Sequence, residues 1–456
     1  MRKERTPSLH PGSRQVLLLA AVVVLLARPA GAGELRATLD AEAGVRSDGN
    51  YGQVAQTGEE VETQELGRAG LNLNLSWNQL DRWQVALGYS PSYERSLDNS
   101  EITGTAHRLD LALRGDLTRL MSLQARGRLL STPNLDLYQP VIAGEPVAVP
   151  HRGDQLLYNM DVSLNHQLTR RLSFVGGAAA SQRRFDDPAL FDSETVGGHL
   201  GAAWRWTAEH TLEVGASTEV FSYENGRETD VYRVGFGYDR PLGRNIRLAL
   251  EGGAFQVEAS EPGRPVPTDP TDPTDPTDPT DPTDAAAIPL REESRTGWRG
   301  GVRFSQQLQL FRWEAGYRHD VAPGYGLGRE SVVNNGFAGV STSIGRRLTL
   351  GLDGNASRQR EIDSEGDVSD RNLEFAAGTA RLSWAVLPSL RLTGGYSRIW
   401  QSSEMEPFED LSYDRYFLGL SFRIFSTGEA PRSPEELEHP IEPGEPTDAD
   451  AEPDTQ

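Results

Sequence analysis

Leu35-Arg36-Ala37-Thr38-Leu39-Asp40-Ala41-Glu42-Ala43-Gly44-Val45-Arg46 puts an apolar side chain at every second position, with polar or charged residues and one glycine between. Two is the repeat of a β-strand, whose successive side chains point to opposite faces, so this stretch forms a strand with one apolar and one wet side. The rhythm recurs along the chain. Ala69, Leu71, Leu73, Leu75 and Trp77 interleave with Arg68, Asn72, Asn74 and Ser76. Phe311, Trp313, Ala315 and Tyr317 interleave with Arg312, Glu314 and Arg318. Roughly 18 such segments occur, each about ten residues or longer, the length a tilted strand needs to cross a bilayer. They begin near Leu35, Leu66, Trp83, Ala106, Met121, Leu157, Leu172, Val196, Leu212, Asp230, Ile246, Thr296, Phe311, Val332, Leu348, Leu373, Leu390 and Asp414. The fold expected is all-β, a transmembrane antiparallel up-and-down β-barrel with lipid against its apolar side and water within.

Connections alternate in length. Tight turns lie near Gln79 to Arg82, Leu117 to Leu120, Leu168 to Leu172, Ala208 to Thr211, Leu242 to Ile246, Leu308 to Phe311, Ile344 to Leu348 and Val386 to Leu390. Between them fall longer stretches such as Gly49 to Thr63, Ser131 to Gly153, Gly263 to Glu293 and Arg360 to Asp370. Short turns on the periplasmic side and long loops outside are the pattern of an outer-membrane barrel, and place both ends of the barrel on the periplasmic side. Trp77, Trp83, Trp204, Trp206, Trp313 and Trp384 cluster beside the short turns, as rings forming a girdle at the inner headgroup level would.

Composition narrows the chemistry. Among 456 residues there is no Cys, which excludes a disulfide framework, a thiolate nucleophile, a cysteine zinc site and lipidation of a cysteine. The only Lys is Lys3, so every later permanent cation is Arg. Residues 1–32 read as a cleavable signal peptide: Arg2, Lys3, Arg5 and Arg14 form the basic region, Val16 to Ala27 the apolar region, and Ala30-Gly31-Ala32 the cleavage site. The formal net charge is -21, and much of the acidity sits in two appendages, the Thr-Asp-Pro repeats from Thr268 to Asp284 and the tail 426–456. That balance disfavours nucleic acid as a partner. The domain reading is therefore residues 1–32 signal, 33–425 barrel with an outer loop at 263–293, and 426–456 an acidic disordered periplasmic tail.

A turn motif repeats at Leu117-Thr118-Arg119-Leu120, Leu168-Thr169-Arg170-Arg171-Leu172, Leu242-Gly243-Arg244-Asn245-Ile246 and Ile344-Gly345-Arg346-Arg347-Leu348, each closing one strand and opening the next. In these turns and in its alternating strands, the chain from about Glu34 to Phe425 resembles Gram-negative outer-membrane β-barrel porins. The resemblance implies an outer-membrane location, lipid as surroundings and insertion by the barrel-assembly machinery. The final strand, Tyr416 to Phe425, looks like the strand that machinery reads, but Phe425 is out of phase with Leu418, Leu420, Phe422 and Ile424, and the tail follows it.

Candidate chemistry is concentrated on the inward face. Parity directs Arg108, Arg114, Arg126 and Arg128 inward from the fourth and fifth strands, and Arg299, Arg303, Arg312 and Arg318 from the twelfth and thirteenth. Lying on opposite sides of a closed barrel, the two groups would form a guanidinium-lined route for an anionic or hydroxyl-rich solute, interleaved with inward acids such as Asp110, Asp161, Glu219, Glu251 and Glu314. Lumen-facing aromatics look scarce. Ser131 to Gly153 is unusually apolar for an outer loop, and its Leu135, Tyr138 and Ile142 are expected to fold into the mouth as a constriction. His107, His166 and His319 point outward and only His199 inward, with no two at ligand spacing, so neither a metal nor a cofactor site is expected and a rim-sited hydrolase is the weakest reading.

The expectation is a non-enzymatic outer-membrane channel. It would pass polar solutes or, by resemblance to exopolysaccharide-export barrels, a polysaccharide. The alternative is a non-conducting scaffold or adhesion barrel, with the acidic tail contacting a periplasmic export or cell-wall partner.

Overall fold

A computed structural model describes residues 34–48, 64–79, 82–97, 103–132, 155–186, 190–207, 209–243, 245–261, 291–324, 329–362, 368–404 and 411–427. The signal segment, the Thr-Asp-Pro loop, the loop carrying Leu135, Tyr138 and Ile142, and the tail beyond residue 427 lie outside the described residues.

Eighteen strands pair in chain order, every contact antiparallel: β1 Glu34–Asp48, β2 Gln64–Gln79, β3 Trp83–Ser96, β4 Thr103–Thr118, β5 Met121–Thr132, β6 Gln155–Gln167, β7 Leu172–Phe185, β8 Ser193–Arg205, β9 Thr211–Tyr223, β10 Glu228–Pro241, β11 Ile246–Glu261, β12 Arg291–Gln307, β13 Phe311–Gly324, β14 Arg329–Ile344, β15 Leu348–Ile362, β16 Val368–Leu387, β17 Leu390–Ser403 and β18 Leu411–Ser426. β1 also pairs with β18, closing the sheet on itself. Closure removes sheet edges that hydrocarbon could not hydrogen-bond.

The outward faces carry the exposed apolar side chains, among them Leu35, Leu71, Leu200, Val214, Phe236, Leu352 and Leu418. In water such a belt would be an aggregation surface; in lipid it is the stable boundary, and closure turns the polar residues of the same strands inward. Trp77, Trp83, Trp204, Trp313 and Trp384 stand at the ends of strands joined by links of two to five residues, Trp206 lies in the link after β8, and Trp204 and Trp206 stack with centroids 6.4 Å apart. Gly345, at φ 66°, makes one of these tight links, where a side chain would strain the backbone.

Strand starts after short turns agree with the alternation at Trp83, Met121, Leu172, Ile246, Phe311, Leu348 and Leu390. Starts after outer loops come two to five residues earlier than the alternation indicates, for example Arg291 instead of Thr296 and Val368 instead of Leu373. At these loop-side ends the residues are mostly polar on both faces, so the two-residue contrast fades. A second departure concerns Phe425. Leu39 pairs with Phe425 while Asp40 pairs with Arg423, so a β-bulge skips Ile424 and brings Phe425 onto the outward face beside Leu39. The phase break in the sequence is therefore a bulge in an otherwise regular closing strand.

A hairpin folded across the lumen

The barrel interior is not evenly wet. Pairing between β12 and β13 ends at Gly300 and His319, although β12 continues against β11 as far as Arg291, and β13 against β14 as far as Gly324. Freed from β12, the upper part of β13 and the start of β14 turn inward. They reach β9, β10 and the link between them, which lie beyond β11 and β12 along the wall.

Two sets of ion pairs hold this hairpin in place. Arg227, in the β9–β10 link, donates from Nη2 to Glu330 Oε1 at 2.6 Å and from Nε to Oε2 at 3.2 Å, and Thr229 Oγ1 donates to the same carboxylate at 2.9 Å. Both charged side chains are almost wholly buried, at 2% and 0% exposure. The turn that presents Arg227 is made by Gly226, at φ 82°, with Asn225 Oδ1 accepting the Arg227 backbone N–H. Closer to mid-barrel, Arg233 on β10 donates from Nε to Asp320 Oδ1 at 3.1 Å and from Nη2 to the Val321 carbonyl at 2.7 Å, and lies 2.8 Å from Glu219. Asp320 Oδ1 also accepts the Val321 backbone N–H. The Val321 peptide groups, left without β12, are thus satisfied by side chains.

Apolar residues complete the seat. Val321 and Val332 of the hairpin pack with Phe221, Tyr223, Val231, Phe255, Val257 and Ile362. Burying a valine contributes about 1.5–3 kcal/mol, so this cluster stabilises the docked hairpin on the scale of the ion pairs. It also corrects the expectation that lumen-facing aromatics are scarce: Phe221, Tyr223, Phe255, Phe337 and Phe375 all project inward, mostly in the outer half of the barrel. The sequence obscures them because inward apolar side chains there reverse the face contrast of the same strands lower down.

Between the hairpin and the opposite wall lies a cavity of about 640 Å³. It is lined by four of the eight arginines named from the sequence, Arg126 and Arg128 of β5, Arg299 of β12 and Arg318 of β13, along with Arg233 and Asp320. Asp110 is held by Arg108 at 2.6 Å and by Arg128 at 2.9 Å. Arg318 lies 2.9 Å, and Arg299 3.6 Å, from Asp320 Oδ2, and Arg299 also reaches Glu251 at 3.4 Å. A second cavity of about 560 Å³ continues below, sharing Arg299 and Arg318 and adding Arg303, which is bonded to Glu314 at 2.8 Å. Arg108, Arg114 and Arg312 lie outside both cavities, Arg114 and Arg312 near the short-turn ends of β4 and β13. His199 lines both cavities, its ring lying over Gly177, where any side chain would collide with it.

The sequence reading missed Arg227, Arg233, Asp320 and Glu330. The available signal is that alternation fails at Val321-Ala322 and at Val332-Val333, around a Pro- and Gly-containing turn, where adjacent apolar residues mark a segment buried on both sides. Among the described residues, no group of three or more acidic or histidine side chains is placed to hold a metal ion.

No protein-family model matches this sequence, and no curated protein matches it. In structure the chain is similar to the outer membrane protein OpdK of Pseudomonas aeruginosa (TM-score 0.42, 11% identity, covering 86% of this chain and 99% of that one). It is also similar to OccK2 (OpdF) of the same organism in complex with glucuronate (TM-score 0.40, 10% identity, 86% and 99%) and to OccAB3 of Acinetobacter baumannii (TM-score 0.42, 10% identity, 86% and 100%).

Proposed function

We propose that this chain is an outer-membrane channel for small polar solutes, with anions favoured at a constriction formed by the inward hairpin. The observation that carries this reading is the shared cavity, where five guanidinium groups (Arg126, Arg128, Arg233, Arg299, Arg318) face four carboxylates (Asp110, Asp161, Glu219, Asp320) in a lumen ringed by the closed sheet. Guanidinium forks suit carboxylate, phosphate and hydroxyl-rich solutes, and the interleaved acids keep the cations from trapping what they attract, as conduction requires. Passage needs no catalytic group or cofactor. A signal peptide at residues 1–32 and insertion by the barrel-assembly machinery complete the reading.

The hairpin narrows the lumen to the cavity beside it, and that narrowing favours small solutes over an extended polysaccharide. The same hairpin is the feature that speaks for the second reading, a non-conducting scaffold barrel. Conductance of the purified protein in planar bilayers separates the two: stepwise currents with reversal potentials biased toward anions support the channel, and a silent bilayer containing folded barrel supports the scaffold.

A further inference from the structure

The wall itself is interrupted. Above Gly300 and His319 the sheet has no backbone hydrogen bonds between β12 and β13, while both strands stay paired on their other sides. A tilted strand climbs about 2.5 Å per residue along the barrel axis, so Gly300, seven residues from Gln307, stands roughly 18 Å above the periplasmic rim. The apolar belt of such barrels is about 25 Å tall. The seam therefore opens within the outer leaflet, below its headgroups.

Side chains alone bridge it. On the lipid side the rings of Trp298 and His319 stack with centroids 3.9 Å apart, and Trp298 is 58% exposed. On the lumen side, directly behind, Arg299 and Arg318 meet over Asp320, against the main cavity. Gly300 and Gly301 contribute no side chain to the wall at this height. A wall joined by backbone ladders opens only by breaking several hydrogen bonds at once, whereas one ring stack and the 3.6 Å ion pair between Arg299 and Asp320 open by rotamer changes.

Resting on the channel reading above, we propose that the seam between β12 and β13 is a lateral portal joining the lumenal cavity to the outer leaflet. The ligand class it fits is an amphiphilic anion. Its charged head would stay in the cavity with Arg299 and Arg318, while its apolar chain passes Trp298 into lipid. Both halves of such a molecule then keep the surroundings they prefer, and neither the charge nor the chain crosses the wrong medium.

The absence of cysteine from the natural chain makes the test clean. The double variant W298C/H319C is folded, reconstituted into liposomes, and closed with dibromobimane, whose fluorescence reports bridging of the two thiols. Uptake of a twelve-carbon alkyl sulfonate, which does not cross lipid unaided, is compared with uptake of ethanesulfonate. The bridge should reduce long-chain uptake about tenfold and leave ethanesulfonate within about twofold, since it narrows the seam and not the lumen. Equal loss of both probes, or no loss of either, overturns the portal. Should the thiols not bridge, Trp298→Ala serves instead: long-chain uptake should rise severalfold with ethanesulfonate unchanged, and unchanged long-chain uptake overturns the proposal. If the unaltered protein passes neither probe, the channel reading itself fails; if it passes ethanesulfonate and ignores the seam, only the portal does.

Discussion

Glu330→Ala tests whether the hairpin sets the constriction. The substitution removes a carboxylate that accepts two hydrogen bonds from Arg227 and one from Thr229, and leaves a guanidinium at 2% exposure without its counter-charge. Breaking one half of a buried pair costs about 3–5 kcal/mol, and because both groups are shielded from solvent no screening discount applies. At 1.36 kcal/mol per decade, the ratio of docked to undocked hairpin falls by a factor between about one hundred and several thousand. Against this stand the buried Val321 and Val332, together about 3–6 kcal/mol, and the separate bonds from Arg233 to Asp320 and Val321. The two sides are of similar size, so the hairpin should leave its seat often without leaving it permanently. Single-channel recording should show the wild type at one conductance level and E330A alternating between that level and a larger one. E330A/V332A should dwell mainly in the larger. Both variants must show the heat-dependent gel shift of an intact barrel. If both folded variants show the wild-type level alone, the hairpin does not limit the current and the reasoning is wrong. The residues 133–154 then become the place to look, and deleting them should raise the conductance.

The remaining expectations concern selectivity, stability and assembly. R126E/R128E reverses two charges in the main cavity, so its reversal potential in a salt gradient should move toward cations; an unmoved potential would place the selective step elsewhere. Leu200, 74% exposed on the outward face and about 12 Å from the short-turn end of β8, lies near the middle of the outward apolar belt. L200R should lower the unfolding free energy in liposomes by about 2–4 kcal/mol, while arginine at the inward His199 beside it should cost far less. A similar loss at both positions would contradict the assigned faces. Deleting Ile424 removes the bulged residue yet still pairs Phe425 with Leu39, so insertion into membranes by the assembly machinery should be preserved. Failure of that variant to insert would show that the bulge itself is needed.

Leu35 to Arg46, and the stretches that repeat its pattern, were sufficient to indicate a closed barrel of about 18 strands, its outward faces and its short-turn end. Each of those properties follows from a local condition, lipid on one side of a residue and water on the other, which the next residue reverses. Arg126 and Arg299 could likewise be assigned to the inward face by parity alone. Pairing partners 87 to 103 residues apart, Arg233 with Asp320 and Arg227 with Glu330, left no such trace. Neither did the end of the β12 ladder at Gly300, the hairpin that leaves it, or the apolar cluster in the outer half of the lumen. These depend on which residues meet once the sheet has closed and curled. A two-residue rhythm reports what medium touches a side chain, and inside a barrel the medium can be another part of the same chain.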